Sequence, residues 1–260
     1  MDFNPTTEEA QPSAPAQEPS ISSPPRQESR LLLRKLELLL LLGLTIGPSL
    51  LSAAYIYFVY GIATQRPYGD SYIFFKLASG IVHEVGGLAL LCYILFRQGR
   101  KLRDIGFSFR WRDIPVSLGL FLLAWLACYV CYLQIYYLHF FWNGRLLEPW
   151  SNMSSILGTH ISIAAVLFIL INPFFEELIV RAYLMSEISS WTRNIALAGL
   201  VSVAIQASYH LYQGLPNAVS IAALFAVFSI YYGTNRRIMP VILAHLYLDI
   251  LGAAYVFIRH

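Results

Sequence analysis

Long apolar runs separated by short polar segments make up most of the chain after residue 30. Seven of these runs are predicted to be helices, and they cover about residues 36–62, 72–96, 114–140, 156–189, 194–212, 218–232 and 239–258. Apolar runs of about 17 to 25 residues are typical of transmembrane helices. The pattern therefore predicts an all-α fold, a polytopic transmembrane helical bundle of seven spans, or eight if the long fourth run contains a further helix.

The first 29 residues have a different composition. They are rich in Pro, Ser, Gln and Glu and nearly lack large apolar residues, so burial cannot offset the entropy lost on ordering. We predict a disordered cytoplasmic tail over residues 1–29 and N-terminal transmembrane spans over residues 30–145. A C-terminal transmembrane domain is predicted over residues 150–260.

Composition and charge agree with a membrane protein. Hydrophobic residues make up 57% of the chain, charged residues 13%, and the mean hydropathy is +0.56. A net charge of +3 is too small to favour a nucleic-acid partner. In the seven-span arrangement 13 of the 18 Lys and Arg residues fall on the side of the N-terminus. The positive-inside rule then predicts a cytoplasmic N-terminus.

The fourth apolar run contains a cluster of charge. Glu176, Glu177 and Arg181 follow an apolar stretch, and a charged side chain near the middle of a membrane helix costs about 2.5 to 3.5 kcal/mol. Glu177 and Arg181 stand four apart, the spacing of an intrahelical ion pair, whereas Glu176 points about 100° away. Pro173 is expected to kink the helix beside Glu176. We assign Glu177 and Arg181 to structural support and Glu176 to chemistry; the alternative is a purely structural network of all three.

Polar residues also interrupt three other predicted spans. His210 lies late in the fifth span, and His245 and Asp249 lie four apart in the seventh, so both project from one helix face. A lone membrane histidine is typically a packing residue, but two histidines with an aspartate and an unpaired glutamate indicate a shared site. We interpret His83 and Glu84, in the second span, as cavity lining or a buried polar pair.

These residues together resemble the three motifs of a known family. Glu-Glu-x-x-x-Arg at residues 176–181, a histidine about thirty residues later and His-x-x-x-Asp at residues 245–249 look like the motifs of the CPBP family. That family comprises the CAAX prenyl endopeptidases of the Ras-converting type and their bacterial relatives, some linked to bacteriocin immunity. The resemblance covers about residues 155–255, and the combination of motifs is more specific than any one of them.

The resemblance implies a function and a set of roles. It implies an intramembrane endopeptidase in the plasma (inner) membrane of a bacterium, with a membrane-associated protein or peptide substrate that is C-terminally lipidated in the eukaryotic relatives. Glu176 would be the general base, and His210 would hold and polarise the attacking water. His245 would donate a hydrogen bond to the oxyanion. Asp249 would orient His245 or stay protonated.

The sequence departs from the family pattern at two positions. Gln206 stands four residues before His210, where the family usually has phenylalanine, and we expect this change to alter the pocket wall. Asp249 stands where the family often has asparagine, and an ionised aspartate cannot donate to an oxyanion.

Three alternatives stay open at this level. The first is a non-enzymatic immunity or scaffold protein that keeps the fold. The second is a proton-coupled transporter, which is disfavoured because the polar residues cluster in one place. No cofactor is implied, but two histidines and two carboxylates leave zinc open, although the segment His83–Gly87 lacks the second histidine of a His-Glu-x-x-His helix.

Overall fold

The computed structural model describes residues 1, 25–60, 69–144 and 162–259. The described residues form helices joined by loops, which confirms the prediction of an all-α fold. The helices, in chain order, are α1 Pro25–Thr45, α2 Gly47–Tyr55, α3 Asp70–Arg97, α4 Asp113–Asn143, α5 Ile163–Glu176, α6 Leu184–Thr192, α7 Ile195–Tyr209, α8 Leu215–Asn235 and α9 Met239–Arg259. A π-helical segment, Glu177–Tyr183, joins α5 to α6, and a second one, Ile56–Tyr60, follows α2. Short 3-10 turns occupy Leu102–Ile105 and Leu211–Gln213.

Four helical segments are long and apolar enough to cross a membrane. They are Ser71–Arg97, Asp113–Trp142, Ile163–Thr192 and Leu215–Asn235. The pair α1 and α2 makes a fifth if the bent pair is one span, and Ile195–Tyr209 and Met239–Tyr255 are shorter apolar helices. By length and composition, the described ranges therefore hold four or five spans, and the prediction of seven depends on the two shorter helices.

The N-terminal predictions need two corrections. Helix α1 begins at Pro25, so residues 25–29 are helical rather than part of the predicted tail; proline is favoured in the first turn because its missing N–H would be unpaired there anyway. Residues 2–24 lie outside the described residues. The predicted first span bends by 46° between its two helices, next to Pro48, which cannot donate a helical hydrogen bond.

The fourth and fifth predicted spans also change. Residues 163–192 form one continuous span, so this range contains no break that could separate an eighth span, while residues 156–161 lie outside the described part of the chain. The fifth helix ends at Tyr209 rather than Tyr212. It stops early because a 3-10 turn follows His210 and Gly214 takes a φ of 95°, a conformation that glycine tolerates best.

Helix ends are fixed by local side chains. Ser162 caps α5 by accepting a hydrogen bond from the Ala165 amide at 3.1 Å, and Asn194 caps α7 through the Leu197 amide at 3.0 Å. Such caps satisfy amides that have no partner within the helix. They define where α5 and α7 begin, and hence how far along each helix the polar residues lie.

Among the described residues of the second compact unit, residues 36–260, the π-helical segment is the most buried stretch. Its apolar members Ile179, Val180 and Tyr183 are 0% exposed, and they join a core that draws on α3, α7, α8 and α9. π-helical turns widen the helix and are frequent at functional sites. The chain therefore places its charged cluster where surrounding helices enclose it.

A second polar region surrounds the loop between α3 and α4. We refer to its ion pairs as the loop polar layer: Arg97 with Glu37, Arg100 with Glu187, and Arg237 with Asp113. Gln98 connects this layer to the π-helical segment by donating to the Tyr183 hydroxyl at 3.0 Å. Each buried acid of the layer therefore has an arginine partner.

Candidate active site

Glu177 and Arg181 form a buried ion pair in the π-helical segment. Arg181 Nε donates to Glu177 Oε2 at 2.6 Å, and both side chains are 0% exposed. The widened π turn keeps residues four apart close enough for this contact. The pairing expected from their spacing is therefore present, and it neutralises two charges that could not be buried singly.

Arg181 also links the π-helical segment to α7 and α8. Its Nη1 donates to the Phe225 carbonyl at 2.9 Å and to Ser229 Oγ at 2.6 Å, both on α8. Its Nη2 donates to Gln206 Oε1 on α7. The guanidinium also lies over the Phe225 ring, with Cζ 5.4 Å from the ring centroid. Because its charge is shared among these partners, Arg181 can remain buried and ionised.

His245 is held by the second oxygen of Glu177. Its Nδ1 lies 2.9 Å from Glu177 Oε1, and since a carboxylate only accepts, Nδ1–H is the donor. Its Nε2 lies 3.8 Å from Asp249 Oδ1, too long for a hydrogen bond. Glu177 thus joins Arg181 on one side to His245 on the other.

Asp249 faces α5 as well as His245. Its carboxylate interacts with the side chain of Asn172, which stands one residue before Pro173. An amide N–H is the donor that a carboxylate accepts in such a contact. The acid of the third motif is therefore anchored to the helix that carries the first motif.

Glu176 is bound from α7. Tyr209 donates its hydroxyl to Glu176 Oε2 at 2.7 Å, and the glutamate is 8% exposed. No described residue donates a hydrogen bond to its other oxygen, Oε1. Glu176 therefore has one oxygen fixed by the protein and one that a bound molecule can use.

His210 ends α7 with its ring orientation fixed. Its Nδ1 lies 2.8 Å from the carbonyl oxygen of Gln206, and because a carbonyl only accepts, Nδ1 carries the proton. In a neutral imidazole Nε2 is then an acceptor. His210 can consequently accept a hydrogen bond from water through Nε2.

Phe225 separates the two histidines. Its ring centroid lies 5.4 Å from that of His210 and 6.0 Å from that of His245. The same residue accepts the Arg181 hydrogen bond through its carbonyl. One residue of α8 thus fixes the spacing of the second and third motifs.

Glu84 approaches this cluster from α3. Its side chain is 4% exposed, and its charge would interact with those of Glu176, Asp249 and His245. His83 turns elsewhere and donates through Nε2 to the Thr45 carbonyl at 2.8 Å. His83 and Glu84 thus face different partners, as neighbouring residues of a helix do, and their interpretation as cavity lining stays a prediction.

Part of the chain is similar to a known protein family. Residues 158–251 match the model described as type II CAAX prenyl endopeptidase Rce1-like. This segment is therefore similar to the Rce1-like family. Neither the curated proteins nor the solved structures contain a match to the chain. The match confirms the resemblance expected from the motifs, and together with the apolar helices it identifies an integral membrane protein with a protease-type segment.

The predicted site residues of the Rce1-like segment lie in one cluster. Glu177 contacts both Arg181 and His245, Asp249 lies beside His245, and Tyr209 brings the end of α7 to Glu176. His210, the next residue, packs its ring against that of Tyr209 with centroids 4.8 Å apart. The geometry thus unites three motifs that are far apart in the sequence.

Sequence reasoning missed several members of the Rce1-like site. The contact of the buried Gln206 with Arg181 was not expected, although its polar side chain inside an apolar helix was an available signal. Its effect on the pocket wall stays a prediction. Tyr209 and Ser229 gave no comparable signal, because aromatic and small hydroxyl residues are common in membrane helices. Their roles depend on contacts across 33 and 48 residues of sequence.

The arrangement of the possible ligands bears on the zinc alternative. Over the described ranges, no three His, Cys, Asp or Glu side chains are arranged to hold a metal ion. In this cluster Glu177 and the Nδ1 of His245 instead bind each other.

Proposed function

We propose that this protein is an intramembrane endopeptidase of the CAAX prenyl protease type, in which Glu176 and His210 activate a water molecule. The observation that carries the proposal is the meeting of the three motifs at the adjacent residues Glu176 and Glu177. Glu176 accepts a hydrogen bond from Tyr209, the residue before His210 of the second motif. Glu177 binds His245 of the third motif. The match to an Rce1-like family model supports the same reaction class.

Water activation follows from the free atoms of two residues. Glu176 Oε1 and His210 Nε2 both act as acceptors, so a water molecule between them would donate one proton to each. Transfer of a proton to Glu176 would leave a hydroxide-like oxygen to attack the peptide carbonyl carbon. The Tyr209 hydroxyl holds Glu176 in place through its other oxygen.

Oxyanion stabilisation is assigned to His245. Since Nδ1 donates to Glu177, Nε2 can donate to the oxyanion only when the imidazole carries both protons. Glu177 and Asp249, on opposite sides of the ring, supply the negative charge that accompanies such an imidazolium. Loss of a single oxyanion donor typically lowers kcat by about 10² to 10³.

The membrane arrangement completes the proposal. We propose seven spans, with α7 and α9 crossing despite their shorter apolar lengths, and a cytoplasmic N-terminus in the inner membrane of a bacterium. The substrate is a membrane-associated protein or peptide, C-terminally lipidated as the CAAX class implies. The bilayer is the second partner, because most large apolar residues of α3 and α4 are exposed on the isolated chain.

The decisive experiment compares new protein termini in membranes from cells that express the wild-type chain or the Glu176→Gln variant. Glutamine keeps the size of the side chain but cannot take a proton from water. We expect the wild-type termini to disappear in this variant while expression is unchanged. Glu187→Gln is the matched control, because Glu187 is a buried glutamate of the same span that pairs with Arg100 of the loop polar layer. Termini that persist in Glu176→Gln would contradict the mechanism.

A non-enzymatic immunity or scaffold role is the second candidate. It is favoured by Asp249, which occupies the position of the family's oxyanion-binding asparagine, and by Gln206 in place of phenylalanine. In that case the Glu176→Gln variant would still protect cells from the toxin or bind its partner. The new protein termini found in membranes with the variant and with the wild-type chain would be the same.

A further inference from the structure

Glycines bring the Glu84 face of α3 unusually close to α5. A Cβ atom added to Gly80 would lie 3.1 Å from the Phe168 ring, and one added to Gly87 would lie 2.6 Å from the Phe175 ring. Real Cβ atoms do not come as close as the contact at Gly87 and seldom as close as that at Gly80, so glycine favours the observed approach. Glu84 lies four residues after one glycine and three before the other, on the same face of the helix.

This close packing leaves a carboxyl oxygen without a partner. Glu84 Oε2 is buried and accepts no hydrogen bond from any residue that the structure describes. Buried polar groups almost always have a protein or water partner. An oxygen left in this state beside a candidate active site therefore points to a bound water or substrate group.

The neighbouring charges restrict how Glu84 can be accommodated. Glu176 and Asp249 both repel a negative charge at Glu84, and His245 attracts it. The fixed cation of the cluster, Arg181, is already bound to Glu177 and Gln206. Carboxyl groups that share a poorly solvated site do not all ionise together, and one of them retains a proton.

We propose that Glu84 is a second proton-transfer group of the site, coupled to Glu176. This inference rests on the proposed peptidase function and adds a residue outside the three motifs. The coupling resembles that of two carboxyl groups that share one proton, in which the apparent acidities belong to the pair.

The proton balance assigns one task to each carboxyl group. Glu176 takes a proton from water as the water oxygen forms a bond to the peptide carbonyl carbon. When the carbon–nitrogen bond breaks, Glu84 gives its proton to the leaving amine. Glu176 then passes the proton it took to Glu84, so that water and peptide become a carboxylic acid and an amine with both side chains restored.

Kinetics of purified full-length protein with its identified substrate test the role. Glu84→Gln preserves shape but cannot transfer a proton, so we expect kcat to fall by about 10² or more with KM unchanged. Glu84→Asp keeps the acid and should recover part of the rate. His83→Gln is the matched control on α3, because glutamine can still donate to the Thr45 carbonyl, and it should remain within about threefold of wild type.

Infrared spectroscopy tests the same pair without turnover. At neutral pH the wild-type protein in lipid should have a protonated carboxyl band that is absent in Glu84→Gln and shifted in Glu176→Gln. If no Glu176-dependent cleavage is found but this band behaves as stated, the proposed peptidase function is rejected. The coupling of Glu84 to Glu176 is then still supported.

Two results would overturn the inference. The first is a Glu84→Gln enzyme that cleaves within about threefold of wild type. The second is the absence of the Glu84 band. If Glu84→Gln does not fold, Glu84→Asp is the deciding variant. An infrared spectrum equal to that of wild type would also reject the inference. So would a cleavage rate no higher than that of Glu176→Gln.

Discussion

The loop polar layer and the candidate site both bury acidic side chains, but they balance charge differently. In the layer, Glu37, Asp113 and Glu187 each face one arginine. In the site, four acids accompany a single arginine and two histidines: Glu84, Glu176, Glu177 and Asp249 with Arg181, His210 and His245. In the layer an arginine balances each acid, whereas an excess of acids over fixed cations is the arrangement expected where carboxyl groups exchange protons. The difference agrees with the proposal that the second region carries the chemistry.

The largest expected effect comes from removing the one arginine of the site. Arg181→Met leaves Glu177 buried without its fixed cation, and loss of one partner of a buried pair typically costs about 3 to 5 kcal/mol. We expect the free energy of unfolding to drop by that amount, or the variant not to accumulate. Thermal and denaturant unfolding in detergent would measure it.

Arg97→Met supplies the matched comparison in the loop polar layer. The Arg97 side chain is 42% exposed, and Gln98 still donates to the buried Glu37 when Arg97 is lost. We therefore expect a loss close to the range of about 0 to 1 kcal/mol that is typical of exposed pairs. If both variants lost the same stability, the distinction between the two regions would be wrong.

The second effect concerns the family departure at Gln206. Gln206→Phe restores the usual residue of the family but removes the acceptor of Arg181 Nη2. An unsatisfied buried donor costs about 1 to 3 kcal/mol, so we expect destabilisation of that size rather than improvement. Gln134→Phe, at an exposed position of α4, should stay within about 0.5 kcal/mol of wild type. A more stable Gln206→Phe protein would mean that Arg181 finds another partner.

The smallest effect is expected at Tyr209. Tyr209→Phe removes the hydroxyl that donates to Glu176, and a typical hydrogen bond contributes about 0.5 to 1.5 kcal/mol. Peptidase activity should fall more than stability, because Glu176 loses the contact that orients it. Tyr129→Phe on exposed α4 is the control for the loss of a hydroxyl. Unchanged kcat in Tyr209→Phe would argue against Glu176 as the base.

The sequence predicted the helices well because apolar runs and charged interruptions are local features. The ion pair of Glu177 with Arg181 followed from a spacing of four, and the family resemblance followed from three short motifs. Spacing along each helix does not tell which residues of separate helices meet. The contact of His245 with Glu177, the residue next to Glu176, is visible only in the structure.

Contacts across helices were beyond the reach of the sequence. Glu84 faces the site because two glycines allow α3 and α5 to approach, and nothing in the local pattern tells which face of α3 meets α5. The first span was predicted as a single helix although Pro48 lies within it, because the apolar run continues through the bend. Both features depend on packing between elements rather than on periodicity within one.

The shortness of α7 has a consequence for the surrounding bilayer. Its 15 residues rise only about 22 Å, against a hydrocarbon thickness of about 30 Å, and the 3-10 turn Leu211–Gln213 follows directly. If α7 crosses the membrane as proposed, the leaflet beside this turn is expected to thin or admit water. Hydrophobic mismatch would then couple the hydration of the reaction centre to the acyl-chain length of the host membrane.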